Sequence, residues 1–272
     1  MARRWVVSAA VVTAFLGQAA DSPGQEHKLI LPGETLTVSG RPAFILLPPK
    51  EKRATPQPWV MYAPTLPAYP DSHEKWMHER FLEAGVAVAG IDAGEAYGSP
   101  KGRELCSALY KELTTTRGFA PRPCLLGRSR GGLWVSAWAA DNPEKVAGLA
   151  GIYPVFDLRT YPGLDKAAPA YGMTPDELKE RLTELNPIAR VGVLAGRAVP
   201  AFLIHGDEDK VVPLKENSAE FATIYRAAGA EKAVTLVVVK GQGHNFWEGF
   251  FRCEPLVEFV IGRAKAGASV NK

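Results

Sequence analysis

Cysteine is scarce: Cys106, Cys124 and Cys253 are the only three in 272 residues. An odd set cannot close a complete disulfide framework, and a chain of this length buries enough apolar surface not to need one. Cys124 sits in an apolar run and reads as a core thiol; a Cys106 to Cys124 bridge in an oxidising compartment is the alternative. Charge of one sign is lacking as well. With 32 basic against 29 acidic residues, the chain carries neither a nucleic-acid footprint nor an acidic tail. It also lacks H-E-x-x-H, CxxC and a strand-linked G-x-G-x-x-G, so neither a metal nor an organic cofactor is expected.

Long apolar runs are missing too. The run from Trp5 to Leu16 is roughly twelve residues, short of the ~20 that span a bilayer core, so no stable membrane anchor is expected. It follows Arg3 and Arg4 and precedes small and polar residues through Gly24, the layout of a secretory signal peptide. Residues 1–24 are therefore expected to be a leader, residues 25–272 one domain, and the product secreted or periplasmic. The opening Arg3-Arg4-Trp5-Val6-Val7 also has some likeness to a twin-arginine signal.

What is present is an alternation. Strand-like stretches fall at about 28–38, 42–47, 59–63, 86–92, 123–127, 146–153, 200–205 and 234–239. Stretches of helical period fall at about 73–84, 102–117, 130–142, 174–184, 214–228 and 254–265. Strands alternating with helices predict a mostly parallel sheet with helices on both faces. Only Ser39, Gly40 and Arg41 separate the first two strands, which predicts an antiparallel hairpin at the N-terminal end. The Pro- and Tyr-rich stretch 155–193 is longer than a crossover needs and reads as a small helical insertion over the sheet edge.

One turn concentrates the chemistry. In CLLGRSRGG, residues 124–132, an apolar strand runs into Gly127-x-Ser129-x-Gly131 and then into a helix through Leu133, Trp134 and Ala137. Glycines two residues either side of a serine permit a strained elbow that exposes the hydroxyl. The helix N-terminus behind it turns free amides toward any oxyanion formed there. A serine needs a base to become a nucleophile and a carboxylate to orient that base. His244, in a glycine-rich loop directly after the strand 234–239, reaches the same sheet edge. His73 is its rival, on the loop after the third strand. His78 reads as part of a solvated helix with Glu74, Lys75 and Glu79, His27 as part of a new N-terminus, and His205 as structural. The acid is expected in HGDEDKVVP, which offers Asp207, Glu208 and Asp209 after the strand 200–204.

Strand-HGxxDxxVP-helix-strand-GxGH, preceded by G-x-S-x-G and by NPIARV at 186–191, resembles the α/β-hydrolase superfamily. Within it, the chain is similar to the catalytic domain of prolyl oligopeptidase-like and dienelactone hydrolase-like enzymes, from about Trp59 onward. The resemblance implies an α/β-hydrolase fold with Ser129 as nucleophile, Asp209 as acid and His244 as base. Asp157 is the alternative acid position. It also implies an oxyanion hole from the Arg130 amide and one amide of the loop YAPTLP, with Thr65 chosen and Leu66 next. The family's common HGG form is absent there.

Such a site implies acyl transfer through an acyl-serine. The roughly 35 residues between leader and third strand are too few for the large propeller of full-length prolyl oligopeptidases, which favours an esterase over a short-peptide peptidase. A carbohydrate-binding protein without catalysis is the remaining alternative. The Ser129-Arg130 pair is similar to that of glucuronoyl esterases, although Arg128 and Gly132 depart from their fuller motif. It suggests an acetyl, feruloyl or uronate sugar ester as substrate, with Arg128, Tyr97 and Trp247 as contacts. Alternatively, Arg128 and Arg130 make structural pairs with Asp92, Glu95 or Asp157.

Overall fold

The computed structural model describes residues 29–65 and 69–269; the expected leader and the alternative donor Leu66 lie outside them. Strands β1 (Gly33–Val38) and β2 (Arg41–Leu46) form the expected antiparallel hairpin. Ser39 and Gly40 both have positive φ, at 49° and 73°, which matches the twist of a tight two-residue turn.

From there the chain alternates through β3 (Trp59–Ala63), α1 (Lys75–Glu83), β4 (Ala87–Ile91), α2 (Pro100–Lys111), β5 (Cys124–Arg128), α3 (Gly131–Asp141) and β6 (Gly148–Ile152). Four short helices follow: α4 (Leu164–Tyr171), α5 (Pro175–Glu180), α6 (Leu182–Leu185) and α7 (Pro187–Gly196). The chain closes with β7 (Ala201–Gly206), α8 (Glu220–Ala227), β8 (Val234–Val239), α9 (Glu248–Phe251) and α10 (Glu254–Ala268). The eight strands lie in the order β1-β2-β4-β3-β5-β6-β7-β8, parallel from β4 through β8 in that order, with β2 antiparallel to β4. This is the α/β-hydrolase arrangement.

Because strand side chains alternate in direction, β3 sends Trp59 and Met61 to one face and Val60 and Tyr62 to the other. The first face packs against α2, α3, α7 and α8, through residues such as Leu109, Trp138, Leu194 and Phe221. The second packs against α1 and α10, through Phe81, Leu256 and Val260. Apolar strands covered on both sides carry no polar alternation, and every residue of β3 to β7 is buried.

The insertion extends the helical layer on the first face, with α4 beside α2 and α7 between α3 and α8, and it brings Tyr161 to the C-terminal edge of the sheet. One expectation needs correction. Cys106 and Cys124 form no bridge, because one lies on each side of the sheet. Burial holds the Cys124 thiol far above its ordinary value and pushes Cys106 up to about 12, so both are inert core thiols.

Candidate active site

Parallel strands place the loops at their C-terminal ends on one edge, and there β5 stops at Arg128 and α3 begins at Gly131. Ser129 bridges them with φ at 50°, in the left-handed region. Such a residue costs on the order of 1–3 kcal/mol unless the surroundings hold it. Here they do: its amide donates to the Ile152 carbonyl at 2.9 Å, and its carbonyl accepts from Gly132 at 3.0 Å and Val155 at 2.9 Å. Gly131 is required by close approach, since a Cβ there would overlap the Ala63 carbonyl on the loop after β3.

The Ser129 hydroxyl lies 2.9 Å from His244 Nε2, and His244 Nδ1 lies 2.7 Å from Asp209 Oδ2. A proton on Nδ1, donated to the carboxylate, leaves Nε2 with the lone pair that accepts from Ser129. The other carboxylate oxygen of Asp209 accepts from the amides of Val211 at 3.0 Å and Val212 at 2.8 Å. Burial would raise the Asp209 pKa. Hydrogen bonds from His205, His244 and the Val212 amide outweigh it and hold the carboxyl well below the usual carboxylate range.

His205 is structural, as expected. Its ring is fully buried between the Ser218 hydroxyl at 2.8 Å and the Val212 carbonyl at 2.9 Å, with Nε2 3.4 Å from Asp209. His73 does not meet Ser129; it stacks on Phe246 with ring centroids 4.3 Å apart. Asp157 is turned away as well, holding Arg159 and the Asn186 side-chain amide. Asp207 is spent on the Gly241 amide at 2.7 Å, which leaves Asp209 as the acid of the loop that meets His244.

Ser129 and His244 open into a cleft of about 230 Å³, walled by Pro64, Tyr69, Tyr153, Tyr161 and Phe246 and by the two arginines that flank the serine. The Arg130 amide, at the start of α3, finds no acceptor among the described residues. Thr65 does not line this cleft. Its hydroxyl donates to the Tyr62 carbonyl at 3.2 Å, and it borders a neighbouring pocket.

The expected substrate contacts separate. Arg128 reaches the cleft, but its guanidinium is 4% exposed and bonds Asp71 at 2.9 Å and Glu74 at 2.8 Å. Tyr69 and Phe251 flank it, with the guanidinium carbon 4.8 and 4.9 Å from their ring centroids. Tyr62 donates to both oxygens of Glu74, at 2.7 and 2.8 Å. The partners of Arg128 are thus neither Asp92, Glu95 nor Asp157. Arg130 does meet Glu95, at 3.4 Å on the surface. Tyr97 is buried against Trp134 and lies outside the cleft, and Trp247 stands exposed on Phe250 without lining it.

Asp71, Glu74 and Tyr69 are the site residues that sequence reasoning missed. Glu74 and His78 were expected in solvent, yet both are fully buried. Their spacing held the signal: with Phe81 and Leu82 they recur at three and four residues, on one helical face.

The model of the prolyl oligopeptidase family, Peptidase_S9, matches residues 108–254, a span that contains Ser129, Asp209 and His244. The chain belongs to the prolyl oligopeptidase family. Solved structures similar to this family member include a puromycin-hydrolysing peptidase from Mycobacterium tuberculosis, 16% identical with a TM-score of 0.64. That match covers 86% of this chain and 40% of the peptidase, so the chain spans less than half of that protein's length. Est1E from Butyrivibrio proteoclasticus is 20% identical over 85% of this chain and 98% of its own, with a TM-score of 0.63. TT1662 from Thermus thermophilus is 17% identical over 89% of this chain and 99% of its own, with a TM-score of 0.60. At these identities the structures speak for the fold. No curated protein sequence matches. The prolyl oligopeptidase family is a family of serine hydrolases.

Proposed function

We propose that the protein is an exported carboxylic ester hydrolase in which Ser129 attacks the ester carbonyl. His244 takes the serine proton and returns it to the leaving alcohol, while Asp209 fixes the imidazole tautomer and stabilises its cation. The Arg130 amide and one amide of the loop after β3 receive the oxyanion. Water then repeats the sequence on the acyl-serine. The observation that carries this reading is the continuous relay from Ser129 through His244 to Asp209.

The lining of the cleft supports an ester over a peptide. None of its described residues is Asp or Glu, and its charged members are Arg128 and Arg130. Carboxylates beside the lining residues are paired: Asp71 and Glu74 with Arg128, Glu95 with Arg130, and Asp209 with His244. A peptide amino group would find no counter-charge on these walls, whereas a neutral or uronate ester meets aromatic rings and a guanidinium. The peptidase reading draws on the likeness to the mycobacterial peptidase that hydrolyses puromycin.

The test compares turnover of nitrophenyl, feruloyl, acetyl-sugar and uronate esters with that of aminoacyl nitroanilides. Faster ester turnover, lost in Ser129→Ala together with fluorophosphonate labelling, is expected. Preferential anilide cleavage would establish the peptidase instead, and an unlabelled Ser129 would leave only a binding role.

A further inference from the structure

Tyr153 is the first residue after β6, and its φ of 34° lies in the left-handed region. For a bulky side chain this is a genuine outlier, with a cost on the order of 1–3 kcal/mol. The strain has a visible effect. Side chains alternate along a strand, and Ala150 and Ile152 both face the layer of α1 and α10. A regular continuation would send residue 153 to the opposite layer. Instead the Tyr153 ring stays on the same face as Ile152, between α9 and the loop that carries His244.

This segment is anchored on both sides. The Tyr153 amide donates to the Ile204 carbonyl at 2.8 Å, and the Val155 amide donates to the Ser129 carbonyl at 2.9 Å. The ring is held by Phe250 and Phe251, which meet it nearly at right angles with centroids 5.0 and 6.2 Å away. Against this fixed ring rests the His244 imidazole, with centroids 4.4 Å apart. The loop beyond His244 offers it little support, since Asn245, Phe246 and Trp247 are all exposed. Its hydrogen bonds to Ser129 and Asp209 act at the two ring nitrogens, so the ring could still rock about the line joining them. A bulky contact beside the ring stops that motion.

We infer that Tyr153 is the positioning residue of the base, its ring the platform that keeps the imidazole in line between Ser129 and Asp209. The inference rests on the acyl-serine chemistry proposed above. Although Tyr153 borders the cleft, it is only 2% exposed, so it acts through His244 and offers substrate almost no surface. Loss of the ring therefore slows the chemical step for every acyl group alike, because a displacement of about 1 Å in such a site costs up to about 10²-fold.

The test compares wild type with Tyr153→Phe, which keeps the ring, and with Tyr153→Leu and Tyr153→Met, which remove it. Three quantities are read: kcat and KM on nitrophenyl acetate and butyrate, the rate of fluorophosphonate labelling of Ser129, and the downfield proton-NMR signal of the His244 to Asp209 hydrogen bond. The last needs no substrate, and thermal melts report folding. The ring-free variants are expected to lose about 30- to 100-fold in kcat and in labelling rate, with KM within about twofold and the NMR signal gone. Tyr153→Phe is expected to stay within about threefold of wild type and to keep the signal. Labelling of a ring-free variant at the wild-type rate, or an equal loss in Tyr153→Phe, overturns the platform. A loss that differs between acetate and butyrate overturns it in favour of a substrate wall, and failure of both ring-free variants to fold in favour of a core group. A wild type that labels but prefers anilides overturns only the esterase reading. One that neither labels nor turns over any ester overturns the acyl-serine chemistry, and the platform with it.

Discussion

Asp209 carries two opposing demands: burial penalises its charge, and three donors stabilise it. The donors prevail, so the folded protein keeps this carboxylate ionised at a pH where an unfolded Asp is protonated. Its contribution to stability is complete above the ordinary carboxylate range, near pH ~4, and is lost as pH falls through that range toward the depressed folded value. Asp209→Asn should therefore flatten the acid limb of a melting-temperature profile below pH ~4. It should also reverse the His244 tautomer, placing a proton on the nitrogen that faces Ser129, and lower kcat by about 10⁴. Steady-state rates on a nitrophenyl ester, with a melt at neutral pH as the folding control, check both effects. An activity loss under tenfold would remove Asp209 from the relay.

At the scale of elements, two contacts hold the serine turn against the loop that follows β3. The first is the glycine at the head of α3. In Gly131→Ala the new methyl group must displace the Ala63 to Pro64 backbone, and with it the loop expected to supply an oxyanion donor. A kcat loss of about 10²–10³ is expected, the cost of removing one such donor, with KM little changed. The second is the ion cluster that ties β5 to the start of α1. Arg128→Met leaves Glu74 buried without its cation and is expected to cost about 3–5 kcal/mol in urea unfolding. Adding Glu74→Gln should recover part of that loss, because the stranded charge is then gone. If the single and double variants are equally destabilised, the ion pair is not what makes Arg128 important.

At the scale of the whole molecule, His78 gives the fold an acid weakness separate from that of Asp209. It is fully buried between Tyr62 and Phe81, neither ring nitrogen has a hydrogen-bond partner among the described residues, and burial lowers its pKa to about 3. Between that value and the ordinary ~6.5, the unfolded chain binds a proton that the folded chain refuses, so stability falls with pH, by about 2 kcal/mol at pH 5. His78→Phe, a similar flat ring, should remove this dependence. Urea midpoints at pH 7 and pH 5 check it: the wild type should lose more between the two than the variant.

Much of this was legible in local pattern. Apolar runs of five or six residues separated by helical periods predict β3 to β8 and their crossovers; in β3 to β7 a strand buried on both faces has no polar alternation to show. The short spacer predicts the hairpin. The pattern fails where partners are distant in sequence. Glu74 and His78 look like solvent-facing helix residues among Lys75, Glu79 and Arg80. They are buried because Arg128 and Tyr62, on two central strands, lie directly beneath that helical face.

By itself the sequence determined the turn at Ser129, since a serine between two close-approach glycines at a strand end has few conformations open to it. It also limited the choice of base and acid to loops that follow parallel strands, because such a sheet delivers all of those loops to one edge. Only the tertiary structure brings His244 within 2.9 Å of Ser129 and Asp209 within 2.7 Å of His244, and leaves His73 and Asp157 with other partners, because such separations are set by how distant loops meet. It alone decided the fate of the arginines. Arg128 is locked by carboxylates more than fifty residues earlier in the chain, and Arg130 stands between two pockets. Long-range pairing of this kind is set by how the layers pack, and local sequence carries no record of it.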